Sequence, residues 1–175
     1  MAEPGPRPWT LAERGRQWIV VYLDQTAYAI PSDRIAQIEM AERITPVPNA
    51  PAFVRGVAFL RGEVVPVVDL RVRLGLAPLE LGLASRTVVV EVGQRRVGLL
   101  VDRAREVIYA RDDEVVPPPE SAAGASHVEG VIARQDRLLL VLDVEKIVAA
   151  APEAPAELQP PAAHEVSRGG SEHVL

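Results

Sequence analysis

A chain of 175 residues that is 48% hydrophobic but only 4% aromatic has the size of one compact domain or two very small ones, with a core of Val, Leu, Ile and Ala. Its formal net charge of −5 opposes both an extended nucleic-acid groove and a polybasic membrane patch, and the lack of cysteine removes disulfides, thiolate nucleophiles and sulfur-ligated zinc. No apolar run approaches the roughly 20 residues that span a bilayer, and Pro4, Pro6 and Pro8 interrupt any signal peptide, so the cytoplasm is the expected compartment.

Residues 1–16 are rich in Pro, Gly and charge and are expected to form a disordered tail, because they offer too little apolar surface to offset the entropy of ordering. The run 18–23 is apolar and β-branched, Asp24-Gln25 offers a two-residue turn, and 26–30 follows as a second strand. Ser32 or Asp33 is placed to cap a short helical turn ahead of Ile35 and Ile38. Arg61-Gly62 reads as a hairpin turn, with Gly62 supplying a positive φ. The strand 64–68 contains Pro66, which has no amide donor and therefore calls for an edge or a bulge. Asp69 is an N-cap for a helix over 70–74, closed by Gly75. A second hairpin spans 87–92, the Gly93-Gln94 turn and 97–101. A further strand covers 138–142, and Asp143 caps a helix that runs through Val148. Residues 150–175, broken by Pro155, Pro160 and Pro161, read as a second disordered tail rich in Pro and Ala.

The halves 18–74 and 87–148 match each other. Asp33-Arg34 recurs as Asp102-Arg103, Ala29 as Gly98, Ile30 as Leu99 and Ile38 as Val107. Val47-Pro48 is matched with Val116-Pro117, a short insertion follows between Pro117 and Ser126, and Val67-Val68-Asp69 then returns as Val141-Leu142-Asp143. Insertions in a surface loop are tolerated because closure entropy grows slowly with length. Five short twisted strands per half curl into a small barrel, and a barrel of that size buries too little to stand alone. The domain 17–149 is therefore expected to be all-β, two small barrels sharing a core and unfolding as one unit.

Residues 52–71 read AFVRGVAFLRGEVVPVVDLR. This run resembles the signature of the CheW family, and weaker marks extend the resemblance over about 17–148. It implies two intertwined SH3-like five-stranded barrels with short helices, one of them at the C-terminal end of the domain. It also implies a non-catalytic adaptor that bridges the CheW-like regulatory domain of a CheA-type histidine kinase and the cytoplasmic tips of methyl-accepting chemoreceptors, in arrays at the inner membrane. On this resemblance the candidate receptor-binding residues are Ile35, Gln37, Gly56, Arg61 and Leu99, with Gly62, Asp69 and Asp143 as turn and cap residues. Ile35, Ile38, Val54, Val57, Leu99 and Val101 are expected near the junction of the barrels. Two positions depart from the family pattern: Gln37 stands where an acidic residue is common, and Phe59 where Asn is usual.

No catalytic, cofactor or metal residue is expected. Asp69 and Asp143 precede helices, where a carboxylate accepts backbone N–H groups. His127, His164 and His173 form no metal-spaced pair, and no phosphate-binding loop is present. Two other readings accompany the leading one. The first is an adaptor of a non-flagellar pathway, serving pili or gliding and keeping one of the two contacts. The other is a nucleic-acid-binding pair of SH3-like barrels, against which the acidic charge argues.

Overall fold

The computed structural model describes residues 10–119 and 127–152. After a short helix α1 (Leu11–Arg14), the first half supplies β1 (Arg16–Leu23), β2 (Thr26–Pro31), β3 (Ile35–Met40), β4 (Val54–Leu60), β5 (Glu63–Asp69) and helix α2 (Leu70–Arg73). The second half supplies β6 (Arg86–Val92), β7 (Arg95–Val101), β8 (Arg103–Ala110), β9 (Val115–Val116), β10 (Val128–Ala133), β11 (Leu138–Leu142) and helix α3 (Val144–Ala149). Residues 10–16, expected within the first tail, instead carry α1 and open β1. Gly15 permits the entry with φ of 82°, against the Ala110 main chain. Trp9, His164 and His173 lie outside the described residues.

The strands form two sheets, and each draws on both halves. The first barrel has the order β3-β6-β7-β5-β4; the second has β8-β1-β2-β11-β10-β9. Each half thus lends its first hairpin to the barrel completed by the other. The parallel seams are equivalent: Val67 and Val68 of β5 register with Gly98 and Leu99 of β7, and Leu140 and Val141 of β11 with Tyr28 and Ala29 of β2. Two SH3-like β-barrels, intertwined, are the architecture.

This arrangement explains why the central strands are continuous apolar runs. Side chains alternate across a strand, and here both faces are buried. Val20, Ala29, Ile132 and Leu139 fill the second barrel, while Ala58, Val67, Leu79 and Leu100 fill the first. Their neighbours Val21, Leu23, Ile30, Val68, Leu99 and Leu142 point the other way and form one shared core, joined by Ile147 of α3. Fully burying each such side chain contributes about 1.5–3 kcal/mol.

The duplication extends to irregularities. Register shifts occur at Ala36 in β3 and Arg105 in β8, and again at Arg55 in β4 and Glu129 in β10. Directly after the latter pair come Gly56 and Gly130. A Cβ on Gly56 would sit 2.1 Å from the Thr45 carbonyl oxygen, and one on Gly130 would sit 2.6 Å from Val115. Three expectations are corrected. Val57 pairs with Thr45 and Val131 with Val116, so Thr45 rather than Val47 corresponds to Val116. Pro66 lies in an interior strand; it is tolerated because the ladder from β5 to β7 begins only at Val67. Neither Ser32 nor Asp33 caps the 3-10 turn Ser32–Arg34, and Asp33 instead accepts from Arg16 at 2.7 Å.

Candidate functional site

The β4–β5 hairpin turns on two residues, Arg61 with φ of 48° and Gly62 with φ of 90°. Both in the left-handed region is the requirement of a type I′ turn, which matches strand twist. The turn projects the Arg61 side chain outward, 72% exposed. Its Nε donates to Oε1 of Glu39 at 2.8 Å, joining the hairpin to β3, the strand at the opposite margin of the sheet. No other hydrogen bond of Arg61 is present among the described residues. Glu39 lies two residues beyond Gln37, on the same face of β3. The acid that the resemblance placed at 37 therefore stands one pleat further along.

The five candidate residues do not form one surface. Arg61 is exposed, and Ile35 and Gln37 are half-buried on β3. Gly56 is buried, and its part is to let β4 approach the Thr45 segment. Leu99 is fully buried in the shared core, with Ile35 packed against that core, so Leu99 supports the junction and offers no contact surface. Of the other junction residues, Val101 is buried, Val54 and Val57 are half-buried and Ile38 is exposed. Phe59, two residues before Arg61, is 67% exposed.

The caps behave as their position demands. Asp69 accepts from Val72 N at 3.3 Å, from Leu79 N at 3.0 Å and from Arg55 at 3.3 Å. Asp143 accepts from Lys146 N at 3.0 Å. Burial alone would raise the Asp143 carboxyl, but the bonds from Lys146 hold it below the usual range.

Other ion pairs escaped the reading of the sequence. The Tyr22 hydroxyl donates to Glu106 and accepts from Arg137, and Arg137 Nη1 donates to Glu106 at 3.0 Å. The bond from Arg137, then that from Tyr22, pull the Glu106 carboxyl down to about 2. The internal repeat was the available signal, since Glu106 occupies the position of Gln37. Asp102 accepts from Arg71 Nε at 2.7 Å and from Asp24 N at 2.6 Å, tying α2 to the β1–β2 turn. Burial would raise Asp102, yet these bonds leave it lowered.

Among the described residues no three His, Asp or Glu side chains are placed to hold a metal ion, and no helix is long and apolar enough to cross a membrane. The groups presented at the first barrel's mouth, a guanidinium engaged on one edge and a phenyl ring, are suited to binding.

Comparison with known proteins is specific on this point. The model of the CheW-like domain matches residues 17–151. The chain is 32% identical over 136 residues to the chemotaxis protein CheW of Bacillus subtilis, spanning 77% of this chain and 87% of that one. It is 32% identical over 141 residues to CheW of Thermotoga maritima, spanning 79% and 93%. Protein FrzA of Myxococcus xanthus is 32% identical over 104 residues, spanning 59% and 65%. The crystal structure of the scaffolding protein TtCheW from Thermoanaerobacter tengcongensis superposes with a TM-score of 0.67 at 28% identity, covering 74% of this chain and 89% of that one. The chain belongs to the CheW-like domain family, and it is an adaptor of the chemotaxis type.

Proposed function

We propose that this adaptor couples chemoreceptors to a CheA-type histidine kinase and catalyses nothing itself. The observation that carries the reading is Arg61: an exposed guanidinium at the first barrel's mouth, positioned by a tight turn and by Glu39, in a chain that matches the family over its whole described domain. The free edge of the guanidinium suits a carboxylate or the carbonyls at a helix end. The kinase contact falls on a different surface, made of strand margins and loops that pair with the like barrels of the kinase's regulatory domain. The working place is the cytoplasmic face of the inner membrane, at receptor arrays. Ile35 and Gln37 line the receptor side, while Gly56 and Leu99 shape it from beneath.

Co-purification with candidate kinases and receptors tests this directly. Wild type is expected to recover both; Arg61→Ala is expected to lose the receptor, keep the kinase and keep the fold. Recovery of neither partner by wild type would defeat the proposal. A second reading, an adaptor of a non-flagellar chemosensory pathway, is favoured by the likeness to FrzA and by Gln37 and Phe59. A kinase from a pilus or gliding system in the same pull-down would select it.

A further inference from the structure

The halves of the chain are joined by one connector, residues 74–85, which reads LGLAPLELGLAS. Its first part is anchored to the half that precedes it. Leu76 N–H donates to the Arg71 carbonyl at 2.8 Å, Leu79 N–H donates to the Asp69 carboxylate at 3.0 Å, and the Leu79 side chain is buried in the first barrel. Beyond Leu79 the apolar side chains lose their cover: Leu81 is 46% exposed and Leu83 is 90% exposed.

The chain then enters β6 through a turn, Gly82–Ser85, closed by Ser85 N–H donating to the Gly82 carbonyl at 3.0 Å. Gly82 N–H donates to the Ser85 hydroxyl at 3.0 Å, and Arg86 donates to the Leu83 carbonyl at 2.8 Å. The central residues of this turn are Leu83 and Ala84, whereas Gly, Pro, Asn, Asp and Ser are the residues that favour turns. Sequence pattern points to a different conformation. Leu79, Leu81 and Leu83 alternate with Glu80 and Gly82, which is the period of a strand, yet the segment belongs to neither sheet. Local preference and observed conformation disagree here.

The topology determines what an opened turn permits. Both parallel seams, β5 on β7 and β2 on β11, lie between the halves, and so do the pairings of β1 with β8 and of β3 with β6. The first half of one copy and the second half of another can make every one of these contacts unchanged. Only the connector differs, and residues 80–84 span about 17 Å when extended.

We infer that this chain forms an exchanged dimer, in which the Gly82–Ser85 turn opens and the second half of each copy completes the barrels begun by the first half of the other. The occupant of the exposed leucines is the same segment of the second copy, so that Leu81 and Leu83 of the two chains meet across a two-fold axis. Dilution favours the monomer, because a tethered half competes at high effective concentration. Refolding at high protein concentration fills the dimer, and the shared core must unfold before either form converts to the other. Each dimer keeps two complete barrel pairs.

The test uses the full chain, refolded from denaturant either dilute or concentrated, with mass read by light scattering on a sizing column. Wild type is expected to give monomer when dilute and a dimer when concentrated, and that dimer is expected to persist on later dilution. Ser85→Ala releases Gly82 N–H and is expected to raise the ratio of dimer to monomer about fivefold or more; Leu81→Ser combined with Leu83→Ser is expected to lower it by as much. A cross-link separates exchange from pairing of surfaces. The chain has no cysteine, and Ala29 and Val141 are parallel partners at buried positions of the second barrel. Neighbouring strands lie about 4.8 Å apart, within reach of a disulfide. One chain carrying both Ala29→Cys and Val141→Cys is expected to close the bond within itself as a monomer. An Ala29→Cys chain refolded at high concentration with a Val141→Cys chain is expected to give a disulfide-linked pair of the two. Monomer at every concentration would overturn the inference. So would a dimer that separates at once on dilution, or a mixed dimer that lacks the linkage while the double variant closes it. Each of these outcomes leaves the coupling reading standing.

Discussion

The mouths of the two barrels are built on equivalent strands and held shut differently. In the second, Tyr22, Glu106 and Arg137 form a partly buried three-way bond set linking β1, β8 and the β10–β11 hairpin. In the first, the corresponding positions are Glu91, Gln37 and Glu63; Arg96 bridges Glu63 at 2.6 Å and Glu91 at 2.5 Å, and the exposed Arg61–Glu39 pair ties the β4–β5 turn to β3. Where a duplicated fold keeps a position, packing or backbone geometry explains it. Where it departs, the ion pairs differ in partner and in exposure. Both ends are tied by ion pairs, a partly buried set in the second barrel and exposed ones in the first.

The shared core is where this comparison can be broken most forcefully. Leu99→Ala opens a cavity common to both barrels and is expected to destabilise by about 2–5 kcal/mol. Denaturant unfolding followed by tryptophan fluorescence and by far-ultraviolet circular dichroism should still give one coincident transition. Two separated transitions would show that the barrels do not share a core in the energetic sense. The caps come next. Asp69→Ala strands Leu79 N and Arg55 as well as uncapping α2, and should cost about 2 kcal/mol, against about 1 kcal/mol for Asp143→Ala. Equal losses on thermal melting would erase that asymmetry.

A smaller effect is expected at the second mouth. Glu106 has a folded value of about 2 against an ordinary 4.5. A carboxyl depressed on folding stabilises fully above its unfolded value, and that contribution is lost as pH falls through the folded one. Wild type should therefore lose stability from about pH 5 down to 2, and Glu106→Gln should show a shallower decline. Because the pair is about one-third exposed, solvent screening holds the effect near about 1 kcal/mol. Glu39→Gln at the first mouth should change stability least, by no more than about 0.5 kcal/mol, since the pair it breaks is exposed. A larger loss there would mean that the exposed pair matters to the fold as much as the partly buried one.

Much of the architecture was legible because the backbone demands particular residues at few places. Gly62 at the turn, and Asp69 and Asp143 before helices, announce themselves without knowledge of the partner strands. So did the duplication, through Asp33-Arg34 and Asp102-Arg103. The exchange of hairpins between barrels came from the family resemblance, since alternation along a strand does not say which half lies beside it. The same limit hid Glu39. It is one of several exposed acids until β3 and the β4–β5 hairpin are brought to opposite margins of one sheet. Leu99 was misplaced for a related reason: apolar residues that fill a core and those that line a groove look alike in a run buried on both faces. The two-residue slip at Val47 arose because a proline-rich connection carries no periodicity to set its register.

Exchange of hairpins has a mechanical corollary. Lobes joined by a single linker can swing about it, but lobes that have traded strands and share their interior have no joint. A displacement imposed at the Arg61 turn is therefore passed to the far lobe through the shared core rather than taken up at a linker. In the proposed coupling role the molecule would serve as a strut, holding its two partners at a set spacing and angle.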